Sequence, residues 1–117
     1  MRMWMVDPKM MCRQHLMGEH VEMHMFLGSM LKGTCMEGYC QSNLMEPEQL
    51  KARHDALVVE MERRGYNHKS PMDGIEFRLA FQKLPYTQQN ATIDPVPAAA
   101  DLFGRCEVCR AMKEGQE

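Results

Sequence analysis

Apolar residues near the beginning of the chain recur at the spacing of a buried helical face. The positions at this i, i+3, i+4 spacing are Leu16, Met23, Leu27, Met30 and Leu31. Asp7 and Pro8 precede them, and this pair suits a helix start because Asp can cap and Pro tolerates the first turn. The pattern therefore predicts a first helix over residues 7–31, ending before Gly33.

A second stripe with helical spacing lies in the middle of the chain. Its members are Leu50, His54, Leu57, Val58 and Met61. We predict that this helix begins at Glu46-Pro47 and ends at Gly65, since glycine readily takes the left-handed conformation that ends helices. Residues 33–45 carry two glycines, a serine and an asparagine, and are predicted to be a loop.

The last part of the chain is richer in proline. Residues 66–97 are predicted to be mostly irregular, with a short helix over 75–81. A third helix is predicted from Asp94 or Pro97 to Lys113. The residues expected on its inner face are Leu102, Phe103, Cys106 and Cys109.

These elements together predict an all-α fold, because no segment alternates polar and apolar residues as a strand would. We expect residues 1–117 to form a single compact domain of three main helices with long irregular connections. No apolar run is long enough to cross a bilayer, and the first residues lack the apolar stretch of a signal peptide. We therefore expect a cytoplasmic monomer, inside a bacterial cell or produced there by a phage, with no membrane partner.

The net charge of −2 argues against extensive contact with nucleic acid, since neutralisation of phosphates supplies most non-specific affinity. Two local clusters of basic residues nevertheless occur. They comprise Arg63, Arg64 and Lys69, and Arg105, Arg110 and Lys113. Each cluster is equally consistent with a solvated helix face.

One face of the predicted first helix is polar where a core face would be apolar. Its members, at 3-4-3-4 spacing, are Cys12, His15, Glu19, Glu22 and Phe26. Two carboxylates in line with a histidine on a half-buried face repel each other and are costly to desolvate, so this face indicates a functional site. The alternative is that Glu19 and Glu22 are simply solvated. His20 and His24 form a further i, i+4 pair, which is more typical of packing or of the surface than of a metal site.

The stretch 14–22, Gln-His-Leu-Met-Gly-Glu-His-Val-Glu, resembles the first-helix motif of the pyrimidine-dimer DNA glycosylases of the phage endonuclease V type. Gly28 falls where that family has a glycine. A second block is similar to the family's second helix and comprises Leu50, Arg53, Leu57, Glu60, Arg64, Gly65, Asn67 and Lys69. The chain departs from the family at Val21 and Met25, where the family has arginines, and in lacking its aromatic, basic tail.

The resemblance implies a DNA repair glycosylase with AP lyase activity. Its partner would be double-stranded DNA with a damaged or modified pyrimidine, a pyrimidine dimer by resemblance, and no cofactor would be required. The α-amine of Met1 would form a Schiff base with the sugar, and Glu22 would be its acid/base partner. Further residues expected to bind or position DNA are Arg2, Gln14, His15, Arg64 and Lys69. The chemistry is reasonable because α-amines have an ordinary pKa of about 8, so some neutral nucleophile exists at neutral pH.

Two short motifs suggest a different chemistry. Cys12 and His15 form a C-x2-H pair, and Cys106 and Cys109 form a C-x2-C pair. Together they could make a Cys3His zinc site that joins the first and third helices, although both pairs fall inside predicted helices rather than at turns. Core packing of the cysteines and a redox role are the alternatives. Zinc would also compete with a use of His15 on DNA. The rival function is a small, non-enzymatic helical module that binds nucleic acid or protein, with or without a zinc ion that joins its helices.

Overall fold

The computed structural model describes the backbone of residues 1–116 and the side chains of residues 1–115. The α-helices of this part are α1 Arg13–Leu31, α2 Glu37–Gln41, α3 Leu50–Arg63, α4 Gly74–Gln82, α5 Tyr86–Gln89, α6 Pro95–Arg105 and α7 Glu107–Gln116. Single 3-10 turns, Pro8–Met10 and Pro47–Gln49, precede α1 and α3. Residues 1–116 contain no strand, so the prediction of an all-α fold is confirmed.

The predicted first helix is divided near its beginning. Asp7 caps the turn Pro8–Met10, its carboxylate accepting from the Lys9 backbone N–H at 3.0 Å. The backbone is then extended at Met11 and Cys12, and Cys12 becomes the N-cap of α1. Asp7 and Pro8 therefore do begin a helical turn, as predicted, but that turn is only three residues long and α1 begins separately at Arg13.

The predicted third helix is divided in the same way. Cys106 has an extended backbone, with φ −117° and ψ 106°, and separates α6 from α7. Cys106 thus precedes α7 as Cys12 precedes α1. The expectation that both cysteine pairs lie inside helices is wrong, because each pair lies at a helix N-terminus.

The segments that we predicted to be irregular are more helical than expected. α2 lies inside the predicted 33–45 loop and α5 lies within 66–97, whereas α4 confirms the short helix predicted over 75–81. Asp73 caps α4 by accepting from the Ile75 backbone N–H at 2.7 Å. α2 is stabilised by a contact with another helix, because Tyr39 packs edge-on against Phe26 of α1 with ring centroids 5.1 Å apart. Such short helices depend on tertiary packing rather than on intrinsic propensity.

The core lies between α1 and α3. The residues of these two helices that are fully buried include Leu16, Met23, Phe26, Met30, Leu50 and Leu57. The predicted terminators Gly33 and Gly65 adopt left-handed φ values of 78° and 85° directly after the two helices. No helix in the described part of the chain is long and apolar enough to span a membrane.

The first six residues are built into this core. Met3 and Trp4 are buried, and the Met3 backbone N–H donates to the Leu44 carbonyl at 2.8 Å. Met5 takes a left-handed backbone with φ 57°, which costs about 1 kcal/mol for a residue other than glycine. Burial of Met3 and Val6 on either side stabilises this bend. The N-terminus is thereby fixed against α1.

Candidate active site at the N-terminus

The N-terminal amine lies beside Glu22 of α1. The Met1 nitrogen is 3.5 Å from Glu22 Oε1, and the Arg2 backbone N–H donates to the same oxygen at 3.1 Å. The Met1 and Glu22 side chains are 17% and 26% exposed, so the pair is partly buried but still open to an incoming molecule. A carboxylate at this range can orient the amine and exchange protons with a group bound to it.

Glu19, one turn before Glu22, has a different environment. It is 1% exposed and accepts from Arg53 Nε at 2.7 Å, from Arg53 Nη2 at 2.9 Å and from the Trp4 backbone N–H at 3.2 Å. Arg53 also donates to the Val6 carbonyl at 2.7 Å. The alternative in which both carboxylates are solvated is therefore wrong for Glu19. This ion pair fixes the N-terminal segment to α1 and α3.

Arg2 is held next to the amine by aromatic and acidic neighbours. Its guanidinium lies 3.8 Å from the centroid of the Trp4 ring, and Nη1 donates to Asp101 of α6 at 2.9 Å. Burial lowers the pKa of Arg2, and the nearby Arg105 acts in the same direction, while Asp101 opposes both. Arg105 also pairs with Asp101, so two cations share one carboxylate at this edge of the site.

Gln14 and His15 lie in the first turn of α1. Gln14 is exposed. The His15 ring meets the Trp4 ring edge-on, with centroids 5.9 Å apart, and its Nδ1 faces the cysteines. Any contact of this ring with DNA would therefore use its other edge.

Arg64 and Lys69 are not in contact with the amine–carboxylate pair. The Arg64 guanidinium donates to Glu60 at 2.6 Å and to the carbonyls of Pro8 and Met11 at 3.1 and 2.7 Å. Lys69 is exposed on the irregular segment after α3. The structure thus brings Met1, Arg2 and Glu22 together, holds the mostly buried Arg64 against the turn before α1, and leaves Lys69 exposed elsewhere.

The two cysteine pairs meet in one cluster that could hold a metal ion. The ligand atoms of Cys12, His15, Cys106 and Cys109 lie within 4.8 Å of one another. Cys12 Sγ is 3.2 Å from His15 Nδ1 and 3.9 Å from Cys106 Sγ, and Cys109 Sγ is 3.7 Å from His15 Nδ1. A tetrahedral zinc ion with ordinary bond lengths places two sulfur ligands about 3.8 Å apart and sulfur and nitrogen about 3.5 Å apart. The cluster has the dimensions of such a site.

Backbone amides support the sulfur atoms of this cluster. The N–H groups of His15 and Cys109 each donate to the cysteine three residues before them, at 3.4 Å, and the Cys12 N–H donates to Cys109 Sγ at 3.1 Å. Burial raises the pKa of Cys109 to about 12. Burial also acts to raise the pKa of Cys106, but hydrogen bonds, first of all from Cys109, lower it overall. N–H groups directed at sulfur stabilise thiolates, the form that binds metals.

A second cluster was missed by the sequence reasoning. His20 and His24 of α1 meet His54 of α3 and His68 of the segment after it. Burial lowers the pKa of His20 to about 4, with the neighbouring histidines adding to the effect, and burial followed by His54 lowers the pKa of His24. The pattern assigned His54 to an apolar stripe. Only the pairing of α1 with α3 would have revealed the cluster.

Comparison with known proteins covers the part of the chain that carries the amine–carboxylate pair. The family model described as pyrimidine dimer DNA glycosylase matches residues 1–74. Comparison with curated proteins gives no match, and comparison with solved structures gives none either. The matched residues run from the N-terminal segment through α3 to the first residue of α4, more than half of the 117 residues. This chain therefore belongs to the pyrimidine dimer DNA glycosylase family, a family of DNA repair enzymes.

Proposed function

We propose that this protein excises a damaged or modified pyrimidine from double-stranded DNA and then cleaves the strand through a Schiff base on the Met1 amine. The observation that carries the proposal is the 3.5 Å distance between the Met1 nitrogen and Glu22 Oε1. Family membership supports the substrate class, with a pyrimidine dimer as the lesion that the family name gives. The amine and the carboxylate supply the nucleophile and the acid/base group that such a reaction needs.

Excision begins when the unprotonated Met1 amine attacks the sugar C1′. A nitrogen–C1′ bond forms as the glycosidic bond breaks, and the base leaves with the bonding electron pair and takes up a proton. The nitrogen loses a proton, and opening of the sugar ring then yields an iminium ion at C1′. The ionised Glu22 side chain stabilises the positive charge that develops on the sugar.

Strand cleavage follows from the iminium ion. Glu22 accepts a proton from C2′, the C–H electrons form a carbon–carbon double bond, and the C3′–oxygen bond breaks so that the 3′ phosphate leaves with the electron pair. Water then hydrolyses the iminium, which releases an unsaturated aldehyde on the cleaved strand and restores the amine. No cofactor takes part in either step.

The DNA contacts that we propose are few. Arg2 stands beside the amine, His15 lies two turns before Glu22 on the same face of α1, and the exposed Gln14 precedes it. Arg64 and Lys69 would act as outer contacts. Val21, directly before Glu22, and Met25, three residues after it, are exposed and apolar. With a net charge of −2, the protein should make only about three to five phosphate contacts, so its affinity should fall gently with salt.

Borohydride trapping on a duplex with an abasic site tests the nucleophile. Native protein should form a permanent crosslink, because borohydride reduces the Schiff base. One extra residue before Met1 converts its amine into an amide, which cannot form a Schiff base, so crosslink and strand cleavage should disappear together while DNA binding remains. The same residue added after Glu117 is the matched control and should change nothing.

Two results would contradict this proposal. A crosslink that forms at the native rate in the extended protein would place the nucleophile elsewhere, on the α-amine of the added residue or on a lysine such as Lys9 or Lys69. DNA binding by native protein without any crosslink would instead favour a non-enzymatic DNA-binding module.

We also propose that Cys12, His15, Cys106 and Cys109 bind one structural zinc ion. Three thiolates and one imidazole are a common donor set for structural zinc, and a site with four protein ligands has no open position for a substrate. The ion would tie the N-terminus of α1 to that of α7 and would leave His15 unavailable on its Nδ1 side.

Metal analysis and thermal unfolding test the zinc site. Cys106→Ser should lose one equivalent of zinc and unfold at a lower temperature, whereas serine at the exposed Cys35, outside the cluster, should change neither. Cobalt-substituted protein should show a thiolate-to-metal charge-transfer band that is absent in Cys106→Ser. Unchanged thermal stability after chelation, with no such band, would refute the zinc proposal.

A further inference from the structure

Four histidine side chains from three parts of the chain pack into one cluster. His20 lies with its ring centroid 4.9 Å from that of His54 and 4.9 Å from that of His68, and His24 lies 4.7 Å from His54. One ring nitrogen of each of His20, His54 and His68 lies within 4.8 Å of the others. These ring nitrogens are therefore close enough together to bind one ion.

The cluster also contains a backbone oxygen. The Ser70 carbonyl oxygen lies 2.9 Å from His24 Nε2, 3.0 Å from His54 Nε2 and 2.8 Å from His68 Nε2. A carbonyl oxygen has two lone pairs, so three donated hydrogen bonds exceed what it can accept well. His24 Nε2 and His54 Nε2 are also 3.0 Å apart, and at most one of them can donate to the other.

A carboxylate next to the cluster fixes the orientation of one ring. Asp55 Oδ1 lies 2.9 Å from His54 Nδ1, and Lys51 donates to the other Asp55 oxygen at 2.7 Å. If Nδ1 carries the proton that Asp55 accepts, a neutral His54 presents the lone pair of Nε2 to the cluster. That lone pair then faces the Ser70 oxygen, and two acceptors in contact repel each other unless a cation lies between them. Metal-binding histidines commonly donate their second N–H to a carboxylate in this way.

The histidine cluster also contains a ring nitrogen that lacks a hydrogen-bond partner among the described residues. His20 is 6% exposed, and its Nε2 is buried with no hydrogen-bond partner in the part of the chain that the structure describes. A buried polar nitrogen without a partner is destabilising by roughly 1–3 kcal/mol. Protonation of another histidine in the cluster would still leave His20 Nε2 without a partner. A metal ion bound by several of the rings would accept the lone pair of each bound nitrogen.

We propose that His20, His54 and His68 bind a first-row divalent metal ion such as zinc, with the Ser70 carbonyl or His24 as a fourth ligand. Neutral imidazole is a preferred ligand of zinc, copper and nickel. An open cavity of about 380 Å³, lined in part by His54, Asp55 and His68, gives a path for the ion from solvent. This proposal is independent of the lyase mechanism.

The position of the cluster indicates a structural role. His20 and His24 differ from Glu22 by two positions along α1, which directs their side chains to the opposite side of the helix. The ion would instead join α1, α3 and the irregular residues between Arg63 and Gly74. A metal ligand from this segment would fix a connection that has no helix of its own. Removal of the ion should therefore lower thermal stability rather than abolish strand cleavage.

Cobalt titration of chelator-treated Cys106→Ser protein separates this site from the cysteine cluster. We expect one equivalent of cobalt to bind with weak d–d absorption and without a thiolate charge-transfer band. His68→Gln in the same background should abolish stoichiometric binding, and Asp55→Asn should weaken it about 10-fold to 100-fold. Ser70→Ala is the matched control, because it keeps the carbonyl oxygen and should bind normally.

A measurement on unmodified protein avoids dependence on variants that fold poorly. Imidazole nitrogen chemical shifts of His20, His54 and His68 should change when zinc is removed by a chelator and return when zinc is added. Absence of that change, binding of cobalt with only a thiolate band, or unaltered binding in His68→Gln would each overturn the proposal. The cluster would then be four histidines that share protons among themselves.

Discussion

Glu19 and Glu22 are the same residue type, one turn apart on the same helix, in opposite environments. Glu19 is enclosed by the Arg53 guanidinium and the Trp4 N–H, which donate three hydrogen bonds to its two oxygens. Glu22 is partly exposed, and its near neighbours are the Arg2 N–H and the Met1 amine. Residue type and helical position therefore do not decide what a carboxylate does.

The two carboxylates differ in how many of their hydrogen-bond acceptor sites remain unoccupied. Glu19 has its charge balanced by Arg53 and its oxygens occupied by three hydrogen bonds, so it can hold three segments together. Glu22 keeps acceptor capacity on its solvent side, next to an amine. A structural carboxylate and a candidate catalytic one can thus be distinguished by their hydrogen-bond partners.

The largest effect that we expect comes from removing the cation beside Glu19. Arg53→Met leaves a buried carboxylate without its partner, which should lower the free energy of unfolding by about 3–5 kcal/mol. Urea denaturation measures this loss. The double variant Glu19→Gln with Arg53→Met removes both charges and should recover much of the stability. A loss below about 1 kcal/mol in the single variant would show that the ion pair is not structural.

Glu22→Gln should have the converse effect, a large change in rate with little change in stability. The amide keeps the shape of the side chain but loses its charge and basicity, so single-turnover cleavage of an abasic duplex should fall about 100-fold or more. Because Glu22 is partly solvated, the urea midpoint should stay close to that of the native protein. Cleavage within about threefold of native would remove Glu22 from the proposed acid/base role.

Glu60 extends the comparison to a third carboxylate that, like Glu19, is buried against arginine. Hydrogen bonds from Arg63, then from Arg64, outweigh burial and lower its pKa. A lowered folded-state pKa means that the stabilisation is present above the ordinary carboxyl pKa and is lost as pH falls through the lowered one.

Glu60→Gln should therefore destabilise the protein by about 1 kcal/mol at neutral pH. The gap in unfolding free energy between native and variant protein should close in acid, as pH falls through that lowered pKa. Urea denaturation of both proteins at neutral and at acid pH measures it. A gap that stays constant with pH would mean that the charge of Glu60 contributes nothing.

The smallest effect concerns the exposed surface next to Glu22. Met25→Arg introduces the cation that the resemblance leads one to expect at this position, and it should add one phosphate contact. The slope of log affinity against log salt should steepen by about 0.9. Met25→Gln, which is polar but uncharged, is the control. An unaltered slope would indicate that DNA does not approach this side of α1.

The helical class, the buried faces of α1 and α3 and the glycines that end these helices could all be predicted from the sequence. These features depend on the spacing of apolar residues and on capping residues, which act over one or two turns. The resemblance to a family also led to the prediction of Met1 and Glu22 as site residues, and the Met1 nitrogen lies 3.5 Å from Glu22 Oε1. Local spacing alone could not have paired two residues that are 21 positions apart.

The structural role of Glu19 could not be predicted from the sequence, because it depends on Arg53 reaching across from α3. The tertiary structure also decided where the cysteine pairs lie, since the extended backbone at Cys12 and Cys106 places each pair at a helix start. The histidine cluster depends on contact between α1, α3 and the segment that follows α3. In each case the deciding neighbour is distant in the chain, and a one-dimensional pattern carries no information about which helix faces meet.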